Sequence, residues 1–215
     1  MTEEATPYTA ERVELQRTDD WRIARLGLVT ASRIADVMAR TKSGYGASRA
    51  NYMAELLTER LTGQPSPSFT NAAMQWGIDK EPEARAAYAA RTGIIIEETG
   101  FIRHPTLAAG ASPDGLVGDD GCVEIKCPST ATMLEYLEDR TVPTKYRLQM
   151  QWQMACTGRA WNDFAAYDPR LPEHLRLLII REPRSVDLIA EITGEVEKFL
   201  AELEAKFQRL QELRL

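Results

Sequence analysis

The stretch from Ser112 to Pro128 constrains this chain most: Ser-Pro-Asp-Gly, a short Gly-bounded gap, then Val-Glu-Ile-Lys-Cys-Pro. Gly115-Leu-Val, Gly118-Asp-Asp-Gly121 and Cys122-Val-Glu-Ile-Lys-Cys127 read as two short strands joined by a Gly/Asp turn. Successive strand side chains point to opposite faces, so Glu124 and Lys126 share one face while Val123, Ile125 and Cys127 share the other and meet the core. For Asp114 to join Glu124 and Lys126, paired residues must enclose an odd number of loop residues, which favours a bulged turn over a two-residue one.

Two carboxylates on one face suit a hard divalent cation, because Mg²⁺ takes oxygen ligands, keeps several waters and is completed by substrate phosphate. Zinc chemistry is disfavoured. An adjacent lysine orients the attacking water and offsets the charge that develops in metal-assisted phosphodiester hydrolysis. Taken alone, Glu-x-Lys is a common exposed strand pair of little consequence. The preceding Pro113-Asp114-Gly115 and the apolar alternation shift the reading toward a site.

Pro113-Asp114 with Glu124-Ile125-Lys126 resembles the metal-dependent nucleases that carry a Pro-Asp…(Asp/Glu)-x-Lys motif. Further blocks extend the likeness: Trp21 and Arg25 ahead of Leu26-Gly-Leu-Val-Thr-Ala-Ser32, Trp76-Gly77 with Glu81, and Tyr146 with Gln149 and Gln151. In this order, from about Trp21 to Asp168, they resemble the phage lambda exonuclease and viral-recombinase (YqaJ-like) family. The resemblance implies an α/β fold, a central mixed β-sheet flanked by helices with a restriction-endonuclease-like core. It also implies one nuclease domain over 1–215, with a basic DNA-binding segment at 21–50, a motif core at 70–168 and a long C-terminal helix at 185–213.

Composition agrees with a globular chain of this kind: 44% hydrophobic and 27% charged residues over 215 positions suffice for a sizeable core. No segment approaches the ~18 consecutive apolar residues of a membrane span. Met-Thr-Glu-Glu-Ala-Thr-Pro7 lacks the basic and apolar regions of a signal peptide. A cytoplasmic location, bacterial or in a phage-infected host, is therefore the expectation. Cys122, Cys127 and Cys156 lack paired metal-ligand spacing and are expected as free buried thiols.

The net charge of -6 speaks against a DNA-coating protein but not against a DNA enzyme, since binding depends on where positive charge sits. Between Trp21 and Ala50 stand Arg22, Arg25, Arg33, Arg40, Lys42 and Arg49 against the single acid Asp36. Arg40-Thr-Lys-Ser-Gly-Tyr-Gly-Ala-Ser48 has the Gly and Ser content of a mobile loop. Arg40 and Lys42 either reach a duplex phosphate from it or are incidental solvated charges.

Along the rest of the chain, Thr30 or Ser32 caps a predicted helix through Met38, and Ser48 another through Leu61, ended by Gly63 and the Gln64–Ser68 connection. Thr70 or Asn71 opens a third, which Pro82 is expected to kink or restart beside Glu81. Strands are predicted at Ile94–Glu97, Phe101–Arg103, Leu116–Val117, Val123–Cys127, Trp161–Tyr167 and Leu175–Arg181. Helices are predicted at Ala131–Glu138, from Pro143 to Met154, and from Ser185 to Leu213 with a stripe of Val186, Ile189, Val196, Phe199, Leu200, Leu203 and Phe207.

Helical spacing puts Tyr146, Gln149 and Gln153 on one side and turns Gln151 elsewhere. A polar helix face explains them equally well. Glu81 has two readings as well, a surface pair with Arg85 at i,i+4 or a carboxylate facing the hairpin. A guanidinium such as Arg25 is permanently charged and binds a terminal phosphate in fork geometry, with Ser32 and Ser112 adding neutral hydrogen bonds. Met74 reads as a core methionine from pattern alone.

The resemblance assigns finer roles. Asp114 bridges two Mg²⁺ ions, for which Mn²⁺ substitutes. Glu124 and the Ile125 carbonyl complete one site, and Glu81 reaches a second ion through water. Lys126 assists the attacking water, with Gln149 beside it. Arg25, Ser32 and Ser112 form the 5′-phosphate pocket, and Met74 stands at the strand-separating wedge. The implied activity is 5′-to-3′ digestion of the 5′-phosphorylated strand of linear double-stranded DNA to mononucleotides, leaving 3′ overhangs for recombination. The implied partners are two further copies in a homotrimeric ring, to which the C-terminal helix is a candidate contributor, and a single-strand annealing protein. An endonuclease with the same motif and a catalytically silent DNA-binding subunit remain as alternatives.

Overall fold

The computed structural model describes residues 16–67 and 70–213. The N-terminal heptapeptide, on which the leader expectation rests, lies outside the described residues, as does Ser68 of the Gln64–Ser68 connection. In chain order come α1 (Asp19–Ala24), β1 (Val29–Thr30), a 3₁₀ turn (Ala31–Arg33), α2 (Ile34–Val37), β2 (Arg40–Thr41), β3 (Gly44–Tyr45), α3 (Ala47–Thr62) and α4 (Ala72–Thr92). There follow β4 (Ile96–Glu97), β5 (Ile102–Arg103), β6 (Ala109–Ala111), β7 (Gly115–Val117), β8 (Gly121–Lys126), α5 (Thr130–Asp139) and α6 (Thr144–Thr157). The last elements are β9 (Trp161–Tyr167), a 3₁₀ turn (Glu173–Leu175), β10 (Leu177–Pro183) and α7 (Val186–Gln211).

The expected mixed sheet flanked by helices is what forms. Its strand order is β10-β9-β8-β7-β4, with β8 and β9 parallel and the other neighbours antiparallel. A parallel pair cannot be joined by a tight turn, so α5 and α6 provide the crossover from β8 to β9. On one face Ala84 and Tyr88 of α4 pack on Val117, Val123, Ile125 and Ala165. On the other, Met133 of α5 and Met150 of α6 cover Phe164 and Ala166. A third cluster joins α2, α3, α6 and α7 through Ile34, Tyr52, Trp152, Ile192, Phe199 and Leu203. The C-terminal helix therefore belongs to the chain's own core over its middle turns. Val196, Phe199 and Leu203 are buried there as the stripe predicts, whereas Val186 is 74% exposed.

Four local expectations need correction. α4 runs unbroken through Pro82, which does not restart it. Pro82 sits on the solvent side, where water can hydrate the carbonyl its missing N–H leaves unpaired. The helix predicted through Met38 is a 3₁₀ turn followed by a single turn of α-helix, with no side-chain cap from Thr30. α3 is entered at Gly46, not Ser48, and the loop before it is ordered as the antiparallel hairpin β2–β3. A three-stranded sheet, β1-β6-β5, includes two strands that sequence reading missed, Val29–Thr30 and Ala109–Ala111. Val29–Thr30 is only two residues long, too short for an alternation to show, and Ala109–Ala111 is Ala-Gly-Ala, residue types that carry little strand signal.

Candidate active site

The turn between β7 and β8 holds residues 118–120, because Val117 pairs with Gly121. This is the odd, three-residue connection that the face requirement demands. Gly118 adopts φ +55°, a left-handed conformation that glycine enters without a Cβ clash. Continuing the register from Gly115↔Val123 places Asp114 opposite Glu124. Gly115 is required by packing, since a Cβ there would stand 2.0 Å from Ile96 Cγ2 of β4. Asp114 is tethered through Oδ2, which accepts the Ile125 N–H at 2.7 Å. A strand residue's N–H and C=O point to the same neighbour, so the Ile125 carbonyl also faces the Asp114 side, beyond the last β7 pairing.

Glu124 is 1% exposed and lies under α6. Lys126 Nζ and Gln149 Nε2 both donate to Glu124 Oε1, the latter at 2.7 Å. Gln153 Nε2 donates to Oε2 at 2.6 Å. The Tyr146 ring centroid lies 5.2 Å from the Lys126 ammonium, so one face of α6 supplies all three side chains that its spacing aligned. Gln151 faces away, donating to the Pro183 carbonyl at 2.8 Å. Gln153 was not singled out as a site residue from sequence. Its only signal was the i,i+4 relation to Gln149.

The electrostatics follow from enclosing three charges together. Burial, then the Glu124 charge, raise the Asp114 carboxyl to about 7. Burial alone would lower the Lys126 ammonium, but Glu124 and Asp114 outweigh it and hold its pKa above the ordinary lysine value. Burial also works to raise Glu81, yet bonds from Arg85 and Arg17 leave it below the usual glutamate range. Glu81 takes Arg17 at 2.5 Å and Arg85 at 2.7 Å, and Arg85 also donates to the Asp114 carbonyl. The Glu81–Arg85 pair thus exists, but it is largely buried against the hairpin and not a surface pair.

Among the described residues no group of three or more His, Cys, Asp or Glu side chains is arranged to hold a metal ion. The donors present are Asp114, Glu124 and the Ile125 carbonyl, an all-oxygen set. Mg²⁺ is typically held by one or two carboxylates with water and phosphate completing its shell, so this set fits it. Burial raises Asp114 most, and the Glu124 repulsion that adds to it is what a cation between the carboxylates would relieve.

Beside the carboxylates stands Arg25, at the C-terminal end of α1. Its guanidinium lies 4.0 Å from the Trp21 ring centroid, and Trp21 Nε1 donates to Ser112 Oγ at 2.9 Å. Burial lowers its pKa, and among the described residues it forms no ion pair. A cleft of about 190 Å³ is lined by Arg25, Ser32, Ser112, Asp114, Glu124, Lys126 and Gln149. Residues named separately from sequence thus meet in one space. A larger cavity of about 560 Å³ adjoins it across Trp21, Arg25, Thr30 and Ser32. Met74 lines that cavity and is 51% exposed, so the core reading of this methionine fails.

Arg40 and Lys42 line neither cavity. Arg40 bonds Glu195 at 3.0 Å, while Lys42 is exposed on the β2–β3 hairpin. Most of the basic run is balanced by acids outside it: Arg22 by Asp19, Arg33 by Glu55, Arg40 by Glu195 and Arg49 by Glu202. Cys122 and Cys156 are buried free thiols, and Cys127 is partly buried.

The model of the YqaJ-like viral recombinase domain matches residues 20–160. The chain belongs to this family. Among solved structures it is 54% identical to an alkaline exonuclease, LHK-Exo, from Laribacter hongkongensis, with a TM-score of 0.84 over 90% of this chain and 96% of that one. The same protein solved in complex with dAMP gives a TM-score of 0.85 at the same identity and coverage. A phage-related exonuclease from Haemophilus somnus 129PT, at 15% identity and a TM-score of 0.67 over 85% and 96% of the two chains, shares the fold. A comparison with curated proteins found no match. No helix among the described residues is long and apolar enough to cross a membrane.

Proposed function

We propose that this family member is a single-domain, metal-dependent exonuclease that digests the 5′-phosphorylated strand of linear double-stranded DNA from its 5′ end, releasing mononucleotides and leaving 3′ overhangs. The observation that carries this reading is the shared cleft, in which Arg25, which forms no ion pair among the described residues, and the carboxylate–lysine cluster line the same space. A terminal phosphate anchored at one end puts a nearby phosphodiester at the other. The similarity to an alkaline exonuclease supports the activity, and that relative's complex with dAMP, a deoxynucleoside monophosphate, supports a mononucleotide product.

Arg25 binds the 5′-phosphate in fork geometry, assisted by the Ser32 and Ser112 hydroxyls. Asp114, Glu124 and the Ile125 carbonyl would hold Mg²⁺, or Mn²⁺ in its place. Glu81, already engaged by two arginines, would reach a second ion through water. When bound, these ions supply Lewis acidity at the phosphate and a nucleophilic water at neutral pH. Lys126 stays protonated, because its pKa is raised, so it orients the attacking water and stabilises charge without removing a proton. Gln149 offers its amide to that water or to a phosphate oxygen once it turns from Glu124. Met74, exposed at the rim of the adjoining cavity, wedges the terminal base pair. Family membership supports the wider setting: a homotrimeric ring around the duplex, a single-strand annealing protein as partner and action in the cytoplasm.

The test is digestion of a linear duplex carrying a 5′-phosphate on one labelled strand, with Mg²⁺ or EDTA, beside closed circular DNA and Lys126→Ala. Stepwise loss of the phosphorylated strand, abolished by EDTA and by the substitution, is the expected result. Cleavage of the circle would indicate an endonuclease, and inertness throughout a DNA-binding subunit.

A further inference from the structure

Glu124 is held by three donors, and they are not equivalent. Lys126 and Gln149 line the cleft, so an entering phosphate or water competes for them. Gln153 is 0% exposed and does not line the cleft. Its donor has nowhere to turn.

The orientation of Gln153 is dictated from both ends. An ionised carboxylate only accepts, so the Gln153 NH₂ must face Glu124 Oε2, at 2.6 Å. That leaves Gln153 Oε1 pointing the other way, where Asn162 Nδ2 donates to it at 2.7 Å. Asn162 lies on β9 opposite Cys122 of β8 and is 0% exposed. Its own Oδ1 is buried with no partner among the described residues, so no second bond there favours the flipped amide. With the amide reversed, two acceptor oxygens would confront each other between Asn162 and Gln153, at a cost that burial enlarges.

We propose that Gln153, oriented by Asn162, is a positioning residue that permanently anchors Glu124 through Oε2 and leaves Oε1 as the oxygen exchanged between Lys126, Gln149 and a divalent cation. Gln149 and Gln153 then divide the work on one face of α6. The first exchanges partners during the reaction, and the second does not. This rests on the functional reading above, in that Glu124 is taken as a metal ligand.

The test is Mg²⁺ and Mn²⁺ binding to the DNA-free protein by calorimetry, for wild type, Gln153→Met and Asn162→Ala, with thermal unfolding in EDTA as the control for folding. Removing an outer partner of a ligating carboxylate typically weakens metal binding about 10- to 100-fold, and a loss of that size is expected for Gln153→Met. Asn162→Ala, which frees the Gln153 amide to rotate, is expected to give a smaller loss of the same sign. A folded Gln153→Met that binds metal as tightly as wild type would overturn the proposal. A measurement on wild type does not depend on either variant folding. On adding Mg²⁺ the Gln149 side-chain amide resonances should shift while those of Gln153 stay fixed and slow to exchange, and the opposite pattern would also overturn it. Wild type that binds no metal and digests no DNA defeats the functional reading itself. Wild type that binds and digests while the Gln153 results fail defeats only the anchor.

Discussion

Two regions of the cleft treat charge in opposite ways. Around the hairpin, Asp114, Glu124 and Lys126 are enclosed together and satisfied by one another, by Gln149, Gln153 and by the Ile125 N–H. At the other end, Arg25 is partly buried against Trp21, and among the described residues no acid is bonded to it. A cluster satisfied internally is poised to exchange partners when a cation and phosphate arrive. A partly desolvated cation held over a ring and not by a carboxylate is poised to take an anion. The rest of the basic segment shows the contrast, because Arg22, Arg33, Arg40 and Arg49 already have their carboxylates.

The strongest way to break this comparison is to remove a hairpin charge. Lys126→Ala or Asp114→Asn should lower the turnover rate by about 100-fold or more, the loss usual for a preorganised electrostatic group. Asp114→Asn should at the same time raise the melting temperature of the metal-free protein at pH 8, since it removes one of two repelling carboxylates. A loss of both activity and stability would show that Asp114 is structural.

At the other end, Arg25→Ala should slow digestion of 5′-phosphorylated ends by roughly 10- to 100-fold, matching about 1.5–3 kcal/mol for a hydrogen bond to a charged group. Ends bearing a 5′-hydroxyl should be digested equally by the variant and wild type. Equal losses on both ends would dissolve the division of labour between the two regions.

Titration sharpens the contrast further. Asp114 is raised from 3.8 to about 7, so the native protein holds a proton that the unfolded chain has already released across that interval. The Asp114 contribution to metal-free stability therefore falls as pH rises from 3.8 to about 7, against the rise contributed at the acid end by carboxylates held low such as Glu81 and Glu195, and saturating Mg²⁺ should reverse the Asp114 contribution. Thermal unfolding at several pH values with EDTA or Mg²⁺ checks it, and parallel curves would refute it.

The smallest effects belong to the β2–β3 hairpin. Arg40→Ala should leave the salt dependence of DNA binding unchanged, because its guanidinium is committed to Glu195. Lys42→Ala should reduce the slope by about one unit if Lys42 meets a phosphate.

Much of the fold was legible where a residue's own spacing carries the signal. β9 occupies the predicted Trp161–Tyr167, and α5, α6 and α7 begin at Thr130, Thr144 and Val186. Ser129 and Ser185 cap two of these helices through their hydroxyls, and Asn71 caps α4 through its carboxamide. The pairing of β1 with β6 was not legible, since Val29 and Ala109 are brought together only by packing of the intervening helices. Pro82 misled for a related reason: helix propensity reports a local cost that burial of Ala84 and Tyr88 against the sheet offsets. Gln153 was visible as a neighbour of Gln149, but its partner Asn162 lies on another strand.

By itself, then, the sequence determined the periodic relations: Asp114, Glu124 and Lys126 on one strand face, an odd turn between the strands, and Tyr146, Gln149 and Gln153 along one side of a helix. These follow from backbone geometry, which repeats every two residues in a strand and every 3.6 in a helix. Only the tertiary structure decided which charges remain available. Glu195 and Glu202 on α7 neutralise Arg40 and Arg49 from more than a hundred positions away, while Arg25 is left over Trp21. Coulombic partners are set by distance in space and by exclusion of water, and sequence separation reports neither.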